Sequence, residues 1–81
     1  MITAKEAADL VKKSEKLGFV VGVKDFDKDH YVVEALPNDH EIPEGINTTY
    51  GVDKNTGKVT AFYLIPGQTL EKYLSAKVVN F

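Results

Sequence analysis

The chain has 81 residues, no cysteine, and 12 acidic against 10 basic side chains, a formal net charge of −2. Disulfides, a thiol nucleophile and a thiolate metal site are excluded, and no basic run exists to follow a phosphate backbone, so no nucleic-acid partner is expected. The length allows one small domain over residues 1–81, and no apolar stretch approaches the roughly 20 residues that cross a bilayer.

The first predicted element is a helix over residues 4–17. Thr3 and Glu6 have capping-box spacing, in which the hydroxyl and the carboxylate each accept from the other residue's amide. Ala4, Ala7, Ala8 and Val11 form one apolar stripe, widened by Leu10, and small alanines let a helix lie close to a sheet. Lys5, Asp9, Lys12, Lys13 and Lys16 take the wet side, and Gly18 is a natural C-cap. Lys5, Glu6 and Asp9 also interrupt any apolar leader, so no secretory signal is read and a cytoplasmic location is expected.

Residues 19–26 read as a strand with Phe19, Val21 and Val23 on one face. After a turn at Asp27-Lys28-Asp29, residues 30–36 form a second strand, with Tyr31, Val33 and Ala35 opposed to His30, Val32 and Glu34. The short connection makes the pair antiparallel. Residues 37–47 cannot continue a strand because Pro37, Pro43 and Gly45 interrupt them. A loop of this length in a small domain is a place for function.

Residues 48–65 are a hairpin turning at Lys54-Asn55-Thr56-Gly57. Gly57 supplies a positive φ, and the Asp53 carboxylate can accept from the loop amides. Pairing Asp53 with Lys58 sets Val52 opposite Val59 and Tyr50 opposite Ala61, and buries Tyr50, Val52, Val59, Ala61 and Tyr63 together on the inner face. Phe62 and Leu64 then point the other way. Pro66-Gly67 ends the strand. Thr69 is placed to cap a second helix reaching about Ala76, whose apolar contacts are Leu70, Tyr73 and Leu74. Either this helix covers Phe62 and Leu64, or they form an exposed apolar patch. Val78, Val79 and Phe81 are too apolar for a free tail and are expected on the sheet or against a partner. The predicted fold is α+β: an N-terminal helix on an antiparallel sheet of about four strands, with a short C-terminal helix.

Helix, strand, strand, then a hairpin reading Val-Asp-x-x-Thr-Gly-x-Val resembles the PepSY domain pattern. The residues that carry it run from Ile2 to Ala8, from Tyr31 to Glu34, and from Tyr50 to Val59. Similar hairpins occur in short bacterial immunity-type and phage-encoded proteins. The resemblance implies a regulatory or inhibitory module without catalysis, and it supplies no catalytic residues. The chain departs from the pattern in its 37–47 loop, its C-terminal helix and its lack of an export signal.

Asp25, Asp27 and Asp29 have the opening spacing of a calcium loop, but His30 and Leu36 stand where that loop needs glycine and a bidentate acid. Asp53, Asn55 and Gly57 fail likewise, with Leu64 at the final position. No nucleophile elbow, phosphate-cradling loop or HExxH helix occurs. The expectation is therefore a protein that is not an enzyme, has no cofactor or metal, and binds another protein or, as a homodimer, itself. The candidate contact residues are Asp39, His40, Glu41 and Glu44 in the acidic loop and Phe62 and Leu64 on the hairpin. One alternative is a small-ligand or metal-binding domain using the 37–47 loop; another is a self-associating structural protein.

Overall fold

The computed structural model describes residues 1–15, 19–36 and 48–81. Helix α1 (Ala4–Glu15) is followed by strands β1 (Phe19–Asp25), β2 (His30–Leu36), β3 (Thr49–Asp53) and β4 (Val59–Ala61), then helix α2 (Thr69–Ser75) and strand β5 (Lys77–Val79). The strands form one five-stranded sheet in the order β4-β3-β2-β1-β5, with every neighbouring pair antiparallel. The α+β layout stands as expected, with a fifth strand added at the β1 edge. No described helix is long and apolar enough to cross a membrane.

Helix α1 begins at the capping box. The Thr3 amide donates to Glu6 Oε1 at 3.1 Å and the Glu6 amide to Thr3 Oγ1 at 3.2 Å, so each residue satisfies an amide of the other. The stripe Ala7, Ala8 and Val11 is buried against Val23, Val33, Ala35, Tyr50 and Val52, with Leu10 and Val59 at its margin. Alanines on the contact face bring the helix close enough for valines on the strands to fill the remaining space.

Strand β1 departs from the expected alternation. Its register with β2 shifts between Val20 and Gly22, so Val21 is an extra, unpaired residue. This bulge turns Val20 and Val23 toward α1 and leaves Val21 half in solvent and Phe19 exposed. The hairpin, in contrast, has the predicted register: Tyr50 pairs with Ala61 and Val52 with Val59, and the Asp53 amide donates to the Lys58 carbonyl at 3.0 Å. Asp53 Oδ1 accepts from the Asn55 amide at 2.7 Å and the Thr56 amide at 3.0 Å, and Gly57 has φ +77°. These amides, Thr56 first and then Asn55, hold the Asp53 carboxyl below its ordinary 3.8.

Strand β4 ends at Ala61, short of the expected Ile65. The burial expected of Ala61 and Tyr63 is thereby corrected: both are exposed, and Val59 is half-buried. The Phe62 amide still donates to the Thr49 carbonyl, and Thr49 Oγ1 donates to the Phe62 carbonyl at 2.6 Å, so the chain leaves the ladder immediately after Phe62. Residues 62–76 carry the chain from the β4 edge to the other edge of the sheet, where Val79 pairs with Val23 and packs on the α1-side core. Of the apolar C-terminal residues expected on the sheet or against a partner, Val79 docks in this way, while Val78 and Phe81 are exposed. Gly18 and the 37–47 loop lie outside the described residues.

Candidate partner-binding face

Alternate residues of a strand share a face. On the side of the sheet away from α1, register places Gly22 and Lys24 beside Glu34 and Val32, these beside Thr49 and Gly51, and Gly51 beside Thr60. Val32 is only 1% exposed yet stands apart from the α1-side cluster, so it is covered from this second side. The cover is partly aromatic. A Cβ built on Gly51 would lie 3.5 Å from Phe62 Cδ2, which places the Phe62 ring over the glycine of the neighbouring strand. The Phe26 ring meets Phe62 edge-on, with centroids 4.9 Å apart.

Helix α2 completes the cover, and it is held chiefly by polar groups. Lys24 Nζ donates to the Tyr73 carbonyl at 2.9 Å and lies 4.1 Å from the Tyr73 ring centroid. A cation on a last-turn carbonyl suits the negative end of a helix, and the ring face adds a cation–π attraction. The Tyr73 hydroxyl donates weakly to Glu34 Oε2 at 3.5 Å. Burial, and then the charge of Glu34, raise that hydroxyl above its ordinary 10.0. Lys72 Nζ lies 4.7 Å from the Phe26 ring centroid and 3.8 Å from Asp27 Oδ2.

At the other end of α2, Thr69 does not cap the helix as expected. Its Oγ1 accepts from the Ile65 amide at 2.7 Å and donates to the Tyr63 carbonyl at 2.5 Å, and so secures the preceding turn. The Gly67 amide donates to both Glu71 carboxylate oxygens at 2.9 Å, and Gly67 has φ +81°. That amide keeps the Glu71 carboxyl below its ordinary 4.5.

Phe62, a candidate residue from the hairpin, is therefore half-buried on the α2 side, and Leu64, beyond the end of β4, is half-buried as well. Leu74, expected to help cover them, stands in solvent at 66% exposure. Phe26, Lys72 and Tyr73 make the cover on this face. Asp39, His40, Glu41 and Glu44 lie outside the described residues, and so does the alternative ligand or metal site built on them. Sequence reasoning missed Lys24 and Phe26 altogether. A lysine alternating to the face opposite Val23, with an aromatic two residues later on the same face, is the signal that was available for both.

Two carboxylates at the acidic β1–β2 turn, those of Asp25 and Asp27, have structural uses. Asp27 Oδ1 accepts from the Asp29 amide at 2.8 Å and lies 3.1 Å from His30 Nδ1, while Asp25 pairs with Lys54. Among the described residues no group of three or more His, Asp or Glu side chains is placed to hold a metal ion. An open groove of about 440 Å³ lies between α1 and the β3–β4 turn, with Ile2 and Leu10 half-buried and Asp9 and Lys13 exposed along it. Its other carboxylate, Glu6, is already engaged with the Thr3 amide.

No family model, curated protein or solved structure matches this chain.

Proposed function

We propose that this chain is a non-catalytic protein-binding module of regulatory or inhibitory kind, from a bacterium or its phage, and that it works through the α2-side face. One asymmetry carries the proposal. Of the eight large apolar side chains that are exposed among the described residues, five (Tyr63, Ile65, Leu74, Val78 and Phe81) belong to the last third of the chain. The α1 side is closed, with Ala7, Val11, Val23, Val33 and Val52 all fully buried. Apolar side chains concentrated on one segment, next to the half-buried Phe62 and Leu64, are what a binding surface requires. The resemblance to PepSY-type modules agrees with a regulatory role.

The test compares pull-downs from the source cell with the wild-type chain and with Leu74→Glu and Val78→Lys, two substitutions at exposed positions that leave the core alone. A partner retained by the wild type and lost by both variants is the expected result. Recovery of the same proteins by all three would sink the proposal. A second reading, self-association, is favoured by one observation: β5 is an edge strand and its Val78 is 67% exposed. Light scattering of the wild type and Val78→Lys decides it, since a monomer at high concentration in both excludes a homodimer.

A further inference from the structure

We propose that α2 is a releasable strap over the second face of the sheet, fastened by Lys24 and hinged near Gly67. The inference deepens the module reading by naming how access to its face is controlled. Helix α2 has seven residues and buries none of them, although Val32 and Gly51 on the face it crosses are buried. A helix that short has no stability of its own in water, so it persists only through its tertiary contacts. Those contacts sit near its C-terminal end: Lys24 on the Tyr73 carbonyl and ring, Lys72 on Phe26 and Asp27, and Glu34 at the Tyr73 hydroxyl. Most of these groups are part-exposed, so water replaces them at small cost.

Both flanks are better secured than the helix. Upstream, Thr49 holds Phe62 by both its carbonyl and its amide, while Thr69, the first residue of α2, closes the turn onto Tyr63 and Ile65 at the hinge end of the helix. Downstream, β5 pairs with β1 and Val79 packs on the core. Between them Gly67, at φ +81°, and the extended Ala76, at ψ 147°, are positions where the backbone can change direction without melting the sheet. Regions with few buried apolar contacts open before the body of a domain does. Lifting α2 would uncover Phe26, on which Lys72 lies, and Val32, which pairs with Lys24 beside the already exposed Val78.

The absence of cysteine makes the opening measurable, because a single introduced thiol has no competitor. Val32 and Val33 are adjacent, 1% and 0% exposed, and face opposite sides of the sheet. The thiol of Val32→Cys should react with an aromatic disulfide reagent about tenfold or more faster than that of Val33→Cys under native conditions. Adding Lys24→Met should accelerate Val32→Cys further and leave Val33→Cys unchanged. Equal rates at the two positions, indifferent to Lys24→Met, would overturn the strap. If a cysteine variant does not fold, hydrogen exchange of the cysteine-free chain decides. Lys24→Met must then speed exchange over residues 70–76 while β2 and β3 keep their protection, and unchanged exchange over 70–76 overturns the strap. No partner enters either measurement. A strap that opens on a chain without a partner would therefore refute the module alone, and a bound partner on a chain whose α2 never lifts would refute the strap alone.

Discussion

Lys54 Nζ lies 2.5 Å from Asp25 Oδ1 and 2.7 Å from the Asp27 carbonyl, under the edge of the domain where both hairpin turns meet. The lysine side chain is 8% exposed and Asp25 is 44% exposed, so the cation is enclosed while its counter-ion keeps much of its water. The Tyr31 ring centroid stands 4.8 Å from the ammonium. The Lys54 backbone is tied in as well: its amide donates to the Asp29 carbonyl and its carbonyl accepts from the Ile2 amide. One turn residue thus joins the start of the chain, the β1–β2 turn and the β3–β4 hairpin.

Replacing Lys54 by methionine keeps the stem and removes the ammonium. The Asp27 carbonyl then loses its donor, and Asp25 can rehydrate. The expected cost is about 1–3 kcal/mol, the range for charge-assisted hydrogen bonds in partly buried sites. For a domain of this size each kcal/mol lowers the thermal midpoint by about 4–8 °C. Urea denaturation of Lys54→Met with an unmoved midpoint would show that the pin contributes nothing.

The glycines separate by conformation and space. Gly57 has φ +77°, and a Cβ there would approach Leu10 Cδ1 to 3.2 Å. Gly57→Ala should therefore destabilise by about 1–2 kcal/mol, mostly through the left-handed backbone, because the end of Leu10 can shift. Gly22 has no positive φ, and a Cβ there would meet nothing within 4 Å. Gly22→Ala should stabilise by about 0.4–1 kcal/mol by restricting the unfolded chain. Parallel denaturation curves test the pair: losses of similar size at both positions would mean that backbone conformation does not separate them.

Acid should unfold the domain partly through its turns. The Asp53 carboxyl is lowered by the Thr56 and Asn55 amides. At Asp27 partial burial pushes the carboxyl up, but the Asp29 amide and the His30 ring outweigh it and leave it below 3.8. A carboxylate with a lowered folded value stabilises the fold above its unfolded value, and that stability is lost as pH falls through the folded one. Stability should thus be level at neutral pH and fall once the pH drops to about 4 and below. Asp53→Asn keeps an acceptor for the same amides and cannot titrate. Its stability should fall less steeply over that range; an identical slope to the wild type would remove Asp53 from the explanation.

Much of this architecture is legible in the residues. The capping box and alanine stripe locate α1, and the Asp53–Gly57 turn locates the hairpin and its register, because both signals are local. The misses are where distant pairing decides. Phe19, Val21 and Val23 alternate correctly along the chain, but pairing with β2 inserts a bulge at Val21 and brings Val20 inward. Tyr63 continues the β pattern, yet the chain has already left the ladder. Three residues are too few to show a period, so β5 becomes visible only through its pairing with β1. Lysines are seldom buried, and nothing near Lys54 in the chain announces that it would be. On the candidate face, the alternation of the hairpin is enough to turn Phe62 away from α1, but the Lys24–Tyr73 contact joins residues 49 positions apart.

That contact gives an alkaline prediction. The Tyr73 hydroxyl is raised above 10.0, first by burial and then by the neighbouring Glu34 carboxylate. A tyrosine whose folded value is raised contributes stability that is complete below its unfolded value and lost as pH rises through the folded one. Ionisation sets a phenolate beside Glu34, and two like charges on one side of α2 favour its release from the sheet. The difference in tyrosinate absorbance between the wild type and Tyr73→Phe isolates this group from the other tyrosines. Its midpoint should lie above about 10, and amide exchange over residues 70–76 should accelerate in the wild type across that midpoint more than in Tyr73→Phe. A difference curve centred at or below the ordinary value would mean that the ring is not held against Glu34. If exchange over 70–76 were the same in both chains, the phenolate would have no part in loosening the helix.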